Sequence, residues 1–461
     1  MAVWQKVNTP QLSFGLRLDP EFYQPKYIKL RNELRHIGVA TILDIKNDIR
    51  YGLQAEPDYL KRGVSYIRAL NLKDIGIEGE VLKIDAGQIP SKDYLSSVGD
   101  ILITRSGANC GDSCVIDDFW KQSAYGSYII RIRLKDINPF FVYVFLQSKF
   151  GRLQTNQIRT GLAQPNLSIP YIENLIEIPN KVSPKFQEKI ENLVKMAFKS
   201  QRQIKEIYSE AEQGILERMG WDRLERKHVL SYSVSSKSIL ENERFDPEFY
   251  QPKFEHLLRQ LNKAGSKRVR ELCLNPKRGV SPSYYHDGDV AIVNSQHLSE
   301  SGVIDIENLH KTNEKFYSHP NNVNARLSKF DVLVYATGAY IGRANCWLED
   351  RKAIAGVDCI IIQPDKKICN PIYLALFLNS PAGLLQATQR ASGSAQRHLY
   401  PKDIKNYEVF IPQNRDRKPD LAWQDKLADK VIQANLAKKE AKQKLQEAKE
   451  LVEKEIDKMI K

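Results

Sequence analysis

Forked polar side chains recur beside glycines at matching places in the two halves of this chain. Arginine, asparagine and glutamine can hydrogen-bond the edges of bases, whereas lysine mostly contacts phosphates. We take the loops next to shared glycines as candidates because a common scaffold usually carries recognition on variable loops. A solvated surface remains the alternative for each residue. The candidates are Arg50, Tyr51, Gln54, Arg68, Asn71, Arg105, Ser106, Gln164 and Asn166 in the first half, and Lys277, Arg278, Asn294, Gln296, His297, Arg390, Gln396, Arg397 and His398 in the second.

Motifs for catalysis do not accompany these residues. We find no Asn/Asp-Pro-Pro-Tyr/Phe loop, no Gly-x-Gly-x-x-Gly after a strand, no Walker A loop and no His-Glu-x-x-His. His398 has no visible partner nucleophile, so a DNA contact or a surface histidine is the better interpretation. Asn138-Pro-Phe and Asn370-Pro-Ile are predicted to start helices. We therefore predict no catalytic residue, no metal site and no cofactor in this chain.

Length and charge restrict the class of protein. The chain has 461 residues, a net charge of +13 and a pI near 9.2. This excess of positive charge favours a polyanionic partner, because lysine and arginine that bind phosphates release the counterions condensed on the polyanion. Nucleic acid is the first expectation and an acidic protein the second.

Compartment signals are also simple. The opening MAVWQKVNTP lacks a signal-peptide core, and no stretch approaches the roughly 18 apolar residues of a membrane span. Six cysteines are too sparse for a disulfide scaffold, so buried thiols are expected. We predict a cytoplasmic protein with no membrane partner.

The chain is internally duplicated. DPEFYQPK occurs at Asp19 and again at Asp246, and Gly38 and Gly265 share this offset of 227 (246 − 19). GDILITRSGANCG likewise matches FDVLVYATGAYIG, and TGLAQPNLSIPYIENLIEIP matches SGSAQRHLYPKDIKNYEVFIP, with the offset drifting to 232 (393 − 161). The pentapeptide KRGVS also occurs twice, but its offset of 216 breaks the register. The offset of 227 instead aligns Tyr51-Gly52-Leu53 with Arg278-Gly279-Val280, so we discard the pentapeptide. The repeated DPEFYQPK is predicted to be structural, with Asp19 capping a helical turn.

Each half ends in a long segment with apolar residues near a 3.5-residue period, from Pro184 to Met219 and from Trp423 to Ile460. Two such stripes can bury each other as an antiparallel coiled coil. The alternative is that each charged helix packs on its own globule. The predicted seam is Ile190, Leu193, Ala197, Ile204, Ile207, Ala211, Leu427, Val431, Ala434, Ala441, Leu445, Ala448 and Val452.

We therefore predict an α+β fold with two similar mixed α/β globules in a pseudo-two-fold arrangement, separated by two long helices that form an antiparallel coiled coil. The expected segments are residues 1–180 for the first recognition globule and 181–225 for the first long helix. Residues 226–413 form the second globule and 414–461 the second helix.

The order Arg-x-Asp-Pro-Glu-Phe-Tyr, a Gly-Asp-Ile-Leu-Ile-Thr-Arg-Ser-Gly strand, Gly-x-Ala-Gln with a closing Ile-Pro, and a long helix, repeated once, resembles the specificity subunit of type I restriction-modification systems. This resemblance implies that the globules are target-recognition domains on double-stranded DNA. It also implies a non-catalytic chain whose coiled coil docks two methyltransferase subunits and, indirectly, restriction subunits. S-adenosylmethionine, ATP and Mg are then expected on the partner subunits. The charged flanks of the coiled coil that we expect to face the methyltransferase subunits include Lys195, Lys199, Lys438 and Lys442.

The predicted function is a DNA-specificity subunit that reads an asymmetric bipartite site. The alternative is a coiled-coil scaffold that bridges proteins without reading DNA, for which binding would show no steep salt dependence. A self-contained enzyme would need a further catalytic domain.

Overall fold

The computed structural model describes residues 17–161, 163–221, 229–299, 302–304, 306–393 and 396–461. The opening MAVWQKVNTP, the domain boundary expected at residues 225 and 226, and Ala395 of the second Gly-x-Ala-Gln lie outside the described residues. Among the helices within these ranges, none combines the length and apolar character that crossing a membrane requires.

The chain divides into two compact units. Unit 1 comprises Met1–Arg202 and Lys438–Lys461, and unit 2 comprises Gln203–Ala437. Two long helices, Pro184–Arg218 and Leu421–Ile460, each supply residues to both units. The two long helices predicted from the apolar period are thus confirmed to within two residues at each end, while the four-segment division stays a prediction.

Unit 1 combines short helices with small sheets. Its helices are α1 (Pro25–Ile37), α2 (Ile42–Ile45), α3 (Pro139–Gln147), α4 (Lys149–Ile158), α5 (Ile169–Leu175) and the first part of α6 (Pro184–Arg218). Its strands are β1 (Val39–Thr41), β2 (Lys46–Tyr51), β3 (Tyr59–Leu60), β4 (Val64–Ile67), β5 (Leu72–Lys73), β6 (Gly76–Ile77), β7 (Leu82–Ile84), β8 (Ile101–Thr104), β9 (Ser113–Val115), β10 (Ala124–Tyr125), β11 (Ile129–Leu134) and β12 (Glu177–Pro179).

The central sheet of unit 1 has the antiparallel order β2-β11-β8-β9. A second sheet has the order β10-β4-β7-β3, in which β10 and β4 are parallel, and β1 pairs with β12. Helix α3 is buried from Phe140 to Gln147 because its sequence PFFVYVFLQ is almost entirely apolar. This buried helix and the central sheet belong to one hydrophobic cluster, which forms the core of the unit.

Unit 2 repeats this plan. Its helices are α7 (Ser236–Asn242), α8 (Pro252–Ala264), α9 (Val269–Leu272), α10 (Glu314–Ser318), α11 (Pro371–Asn379), α12 (Pro381–Arg390), α13 (Pro401–Ile404) and the first part of α14 (Leu421–Ile460). Its strands are β13 (Ser266–Arg268), β14 (Lys277–Arg278), β15 (Val290–Val293), β16 (His310–Thr312), β17 (Val332–Tyr335), β18 (Ala344–Cys346), β19 (Ala353–Ala355), β20 (Cys359–Ile362) and β21 (Glu408–Phe410).

Strand register makes the duplication explicit. The central sheet of unit 2 is β14-β20-β17-β18, all antiparallel, and β15 runs parallel to β19 in a second sheet. Tyr51 lies opposite Ile130 in unit 1, and Arg278 lies opposite Ile360 in unit 2, so these two residues occupy equivalent positions. The prediction of two similar mixed α/β globules in an α+β fold is confirmed.

The repeated phrase DPEFYQPK contributes its first aspartate to an arginine-aspartate pair in each unit, Arg17–Asp19 and Arg244–Asp246, which we call the structural clamp. Asp19 precedes a short 3-10 turn, Pro20–Tyr23, but its carboxylate does not cap the turn as expected. It instead accepts hydrogen bonds from Nε and Nη2 of Arg17 at 2.8 and 2.6 Å. Asp246 accepts the same pair from Arg244 at 2.6 and 2.8 Å. The same pair therefore forms in both copies, and a structural role accounts for the repeated aspartates without catalysis.

The seam of the long helices is buried within each unit. In unit 1, residues of the early part of α6 share a hydrophobic cluster with residues of the late part of α14. In unit 2, Ala211 of late α6 shares a cluster with Leu427 and Val431 of early α14, so the helices run antiparallel. Ala434 is also buried, whereas Ile204 and Ile207 are only half-buried. The helices are therefore paired and do not each pack on their own globule alone. The shared residues of unit 1 are Ile190, Leu193, Ala197, Ala441, Leu445, Ala448 and Val452.

Two asparagines start the buried helices, as predicted. The Asn138 side chain accepts hydrogen bonds from the amides of Phe140 and Phe141 at the start of α3, and Asn370 caps α11 in the same way. The backbone amides of Asn138 and Asn370 donate to the side-chain oxygens of Gln187 on α6 and Gln424 on α14, so the same contact attaches a long helix in each unit. The prediction for the cysteines is confirmed as well, since all six are free, five of them buried and one half-buried.

Candidate nucleic-acid interface

In unit 1, backbone hydrogen bonds bring two predicted recognition loops together. The amide of Leu167 donates to the Arg105 oxygen at 2.8 Å, and the amide of Gly107 donates to the Pro165 oxygen at 3.1 Å. Gly107 has a φ of +95°, a backbone conformation that glycine adopts without strain. The loop after β8 and the Gly-x-Ala-Gln loop after α4 therefore form one surface.

Five predicted residues share this surface, and we call them cluster 1: Tyr51, Arg105, Ser106, Gln164 and Asn166. The Arg105 guanidinium lies 4.5 Å from the centroid of the Tyr51 ring, and its Nε donates to the Asn166 side chain at 3.3 Å. The Gln164 amide nitrogen lies 3.3 Å from the Ser106 hydroxyl. Sequence reasoning selected these residues separately, and the fold assembles them into one polar cluster.

Arg50 does not join this cluster. Successive side chains of a strand point to opposite faces, so Arg50 leaves β2 on the face opposite to Tyr51. There its guanidinium is paired with Asp48 at 2.7 Å and Asp93 at 3.6 Å. Gln54 is exposed, with its amide nitrogen 2.8 Å from the Gly52 oxygen. Whether either residue contacts DNA stays a prediction.

Arg68 and Asn71 bracket the turn that follows β4. Asn71 is fully buried, and its side chain accepts from the Arg68 amide and donates to the oxygens of Glu78 and Glu80. Arg68 is half-buried and donates from Nη2 to the Glu80 oxygen at 3.2 Å. Asn71 therefore acts within the turn, where its amide is fully occupied, rather than at the surface.

Unit 2 repeats the junction of loops. The Leu399 amide donates to the Ala336 oxygen at 2.8 Å, and the Gly338 amide donates to the Arg397 oxygen at 3.2 Å. Here His398 Nδ1 lies 3.3 Å from the Thr337 hydroxyl.

Four side chains at this junction define cluster 2: Arg278, Thr337, His398 and Tyr400. Arg278 Nη2 donates to the Thr337 hydroxyl at 3.4 Å, and its guanidinium lies 5.5 Å from the centroid of the Tyr400 ring. Gln396 and Arg397 are exposed beside cluster 2.

Asn294 and His297 form the turn equivalent to that of Arg68 and Asn71. The Asn294 amide donates to His297 Nδ1 at 2.9 Å, and His297 is buried. The Asn294 side chain donates to the Tyr284 hydroxyl at 3.2 Å, and the exposed Gln296 lies 2.8 Å from His310 Nε2. Sequence reasoning therefore selected the same buried turn position, Asn71 and His297, in both halves.

Two further predicted residues lie apart from cluster 2. Lys277 leaves β14 on the face opposite to Arg278, and its Nζ lies 3.3 Å from the Gln363 side chain. Arg390 ends α12, where its oxygen accepts from Arg244 and its guanidinium lies 5.9 Å from the Phe249 ring. Burial lowers the pKa of Arg390, as expected for a guanidinium packed against the structural clamp.

Close backbone contacts join each cluster to its turn. An ideal Cβ at Gly52 would lie 2.3 Å from the Gly126 oxygen, and one at Gly279 would lie 2.1 Å from the Gly356 oxygen. A Cβ at Gly356 would in turn lie 2.1 Å from the Asn294 side chain. Only glycine permits the two approaches of backbone oxygens at Gly52 and Gly279. The amides of Gly126 and Gly356 donate to the oxygens of Ile67 and Val293, which directly precede the turns, so in each unit the strand end is joined to its turn.

Three arginines in or beside the two clusters are without acid partners in the part of the chain that the structure describes. Among the residues that the structure describes, no carboxylate lies within ion-pair distance of Arg105, Arg278 or Arg397. These guanidinium groups keep their positive charge and their donor capacity for an external acceptor. A polyanion with planar acceptor edges matches both properties.

Sequence reasoning missed Thr337 and Tyr400, which complete cluster 2, and Tyr128, whose oxygen accepts from the Arg105 amide at 2.7 Å. Tyr128 is 61% exposed and Tyr400 is 41% exposed. Tyr400 lies two residues after the predicted His398, but nothing in the local sequence marks its contact with Arg278. Over the described ranges, no group of three or more metal-ligating side chains is placed to hold a metal ion.

Comparison with known proteins follows this geometry. No family model matches the chain, and no curated protein matches it. The S subunit of a type I restriction-modification system from M. genitalium is 15% identical, with a TM-score of 0.45 over 91% of this chain and 95% of that one. The HsdS subunit from Thermoanaerobacter tengcongensis is 12% identical, with a TM-score of 0.28 over 90% of this chain and 95% of that one.

A third similar structure comes from work on complex assembly and conformational transition of the type I R-M system. It is 13% identical, with a TM-score of 0.30 over 92% of this chain and 97% of that one. All three identities are below 25% and all three TM-scores are below 0.5. The chain is thus similar, over about nine-tenths of its length, to subunits or assemblies of type I restriction-modification systems.

Proposed function

We propose that this chain is the non-catalytic DNA-specificity subunit of a type I restriction-modification complex, and that it reads an asymmetric bipartite site. One observation carries the proposal: the same framework occurs twice, and equivalent strand-end positions carry different side chains. Tyr51 corresponds to Arg278 by strand register. A repeated scaffold with altered contact residues suits two half-sites of different sequence.

The chemistry of the clusters supports double-stranded DNA as the ligand. Arginine, asparagine and glutamine present the donor and acceptor pairs that distinguish bases in the major groove. Arg105, Gln164 and Asn166 of unit 1 fit this role, as does Arg278 of unit 2, whereas the exposed Arg397 suits a phosphate. The net charge of +13 adds a sequence-independent attraction to phosphates.

We assign the recognition domains to residues 1–180 and 226–413, and the spacer to residues 181–225 and 414–461. Each recognition domain needs only a few contacts, because a good bidentate contact is worth about 1–3 kcal/mol of discrimination. Linking two modest half-sites in one chain then raises the overall affinity.

Methylation and cleavage would be supplied by partners. We propose that two methyltransferase subunits dock on the long helices, one for each repeat, and that restriction subunits join through them. The start of α6 in unit 1 offers an open groove of about 660 Å³ that includes Phe186, Leu193 and Met196. Met196 is 47% exposed, so this groove gives a partner apolar surface beside the charged helix flank. S-adenosylmethionine, ATP and Mg then belong to those partners.

Deleting the gene and mapping methylated bases across the genome tests this proposal. Loss of one two-part, asymmetric methylation motif is the expected result, with restoration by the plasmid-borne gene as the control. An unchanged methylome in an otherwise active system would contradict the proposal. In vitro, the assembled complex should lose DNA affinity steeply as salt is added, whereas a protein-bridging scaffold would not.

A further inference from the structure

Each unit holds a guanidinium stacked on a tyrosine ring at the junction of its loops. Arg105 lies 4.5 Å from the Tyr51 ring centroid in unit 1, and Arg278 lies 5.5 Å from the Tyr400 ring centroid in unit 2. In unit 1, Tyr51 ends β2 and Arg105 follows β8, whereas in unit 2 Arg278 ends β14 and Tyr400 directly precedes α13. The same kind of contact therefore recurs at the junction of loops in each unit.

The two pairs are nevertheless built from different positions. The Arg105 amide donates to the Tyr128 oxygen, and the Ala336 amide donates to the Asp358 oxygen at the same place in unit 2. Arg105 therefore corresponds to Ala336. Residues 168 and 400 also correspond, because each follows the leucine that donates to this strand end. Tyrosine thus stands at 51 and arginine at 105 in unit 1, whereas unit 2 has arginine at 278 and tyrosine at 400.

This change of position distinguishes the arginine-tyrosine pair from the contacts that hold the repeated framework together. Structural contacts keep their positions in both copies, as the Arg17 and Arg244 clamps do with Asp19 and Asp246. The arginine-tyrosine pair occurs in both copies, but its residues stand at different framework positions, 51 and 105 in unit 1 and 278 and 400 in unit 2. Both units thus hold an oriented guanidinium at the junction of their loops. It follows β8 in unit 1 and ends β14 in unit 2.

Both guanidinium groups are oriented and still available. The ring covers one face of each group, and a single neighbour holds Nε: the Asn166 side chain at 3.3 Å for Arg105, and the Val357 oxygen at 2.9 Å for Arg278. Arg278 also donates from Nη2 to Thr337. Within the described chain neither arginine has a carboxylate partner, in contrast to Arg50 with its two aspartates. The remaining N–H groups lie in the plane of a fixed fork.

We infer that Arg105 and Arg278 each read a guanine, one in each half-site, and that Tyr51 and Tyr400 are positioning residues for them. Guanine presents O6 and N7 as paired acceptors in the major groove, and a planar guanidinium matches them with two hydrogen bonds. Stacking on tyrosine holds the fork in place before DNA binds, which lowers the entropy lost on contact. The inference rests on the proposed function, because it requires that the units contact DNA.

The test uses the full chain assembled with its methyltransferase partners in cells that carry a plasmid library with randomised half-sites. Modified-base sequencing then reports which sequences are methylated. Arg105→Lys should relax one guanine position in one half-site by roughly 5- to 150-fold, since a bidentate contact discriminates by about 1–3 kcal/mol. Tyr51→Leu should relax the same position, and Tyr51→Phe, which keeps the ring, should retain it.

In unit 2, Arg278→Lys and Tyr400→Leu should relax one guanine in the other half-site, and Tyr400→Phe should retain it. The untouched half-site serves in every case as the internal control for folding and assembly. Variants that weaken all sequences alike, or that relax a position other than guanine, would overturn the inference and leave the proposed function intact. A wild-type complex that methylates no bipartite motif would overturn both.

Discussion

Replacing Gly279 with alanine tests the close backbone approach that shapes cluster 2. An ideal Cβ at Gly279 would lie 2.1 Å from the Gly356 oxygen and 2.5 Å from the Ala355 oxygen. Both atoms are backbone, so the end of β14 or the facing turn must move. The φ of Gly279 is not positive, so steric overlap alone causes the cost. Overpacking of this kind costs about 1–3 kcal/mol.

Differential scanning calorimetry measures this cost. Each kcal/mol lowers the unfolding midpoint by roughly 2–4 °C for a unit of this size, so we expect a fall of roughly 2–12 °C for unit 2. Gly214→Ala is the matched control in the same unit. Its Cβ would meet Leu427 Cδ2 at 3.4 Å, an ordinary contact, and alanine is about 1 kcal/mol better than glycine within a helix. The two substitutions should therefore shift the midpoint in opposite directions.

Methylation adds a second readout for Gly279→Ala. Moving the end of β14 displaces Arg278, so preference should fall in the half-site of unit 2 and remain in the other. A Gly279→Ala variant that is as stable as wild type and equally specific would refute the close approach. Equal loss in both half-sites would refute the assignment of one half-site to each unit.

Three further outcomes are expected. Leu445→Ala should lower the free energy of unfolding by about 2–5 kcal/mol in denaturant melts, because Leu445 is buried in the helix seam. Leu436 is 62% exposed, so the control variant Leu436→Ala should unfold like the wild-type protein. Arg397→Ala should reduce the slope of log affinity against log salt by about 0.9, because it removes the phosphate contact proposed for this exposed guanidinium. Arg259→Ala, on α8, is the control and should leave that slope unchanged in the same fluorescence-anisotropy titration. The Arg17 guanidinium holds the pKa of the Asp19 carboxyl below its ordinary 3.8. The stabilisation from this pair is therefore present above pH 3.8 and is lost as the pH falls through the lower pKa of the folded state. Acid titration followed by circular dichroism should show a shallower loss of structure for Asp19→Asn than for the wild-type protein.

The fold was largely predictable because repetition and period are long-range signals. The shared offset aligned Tyr51 with Arg278, and strand register confirms that alignment. Register also confirms that the repeated KRGVS is coincidental, since Lys277 lies in the central sheet while Val64 starts a strand of the second sheet. The seam was predictable in the same way, except that Ile204 and Ile207 are half-buried near the point where the two units divide.

The site was less predictable because residue type does not report direction or burial. Arg50 and Tyr51 are neighbours in sequence, yet they leave β2 on opposite faces, and Arg50 is committed to two aspartates. Asn71 and His297 looked like polar loop residues, but each closes a buried turn. Tyr400 joins Arg278 only through the folding of two distant segments, so local sequence carried no sign of the contact.

Exchange of one recognition domain tests the central claim most directly. Residues 1–180 would be replaced by the equivalent segment of a related subunit with a known, different half-site, and methylated bases would be mapped in cells. We predict that one half of the bipartite motif changes while the other half stays the same. A change in both halves, or in neither, would contradict the claim that each unit reads its own half-site.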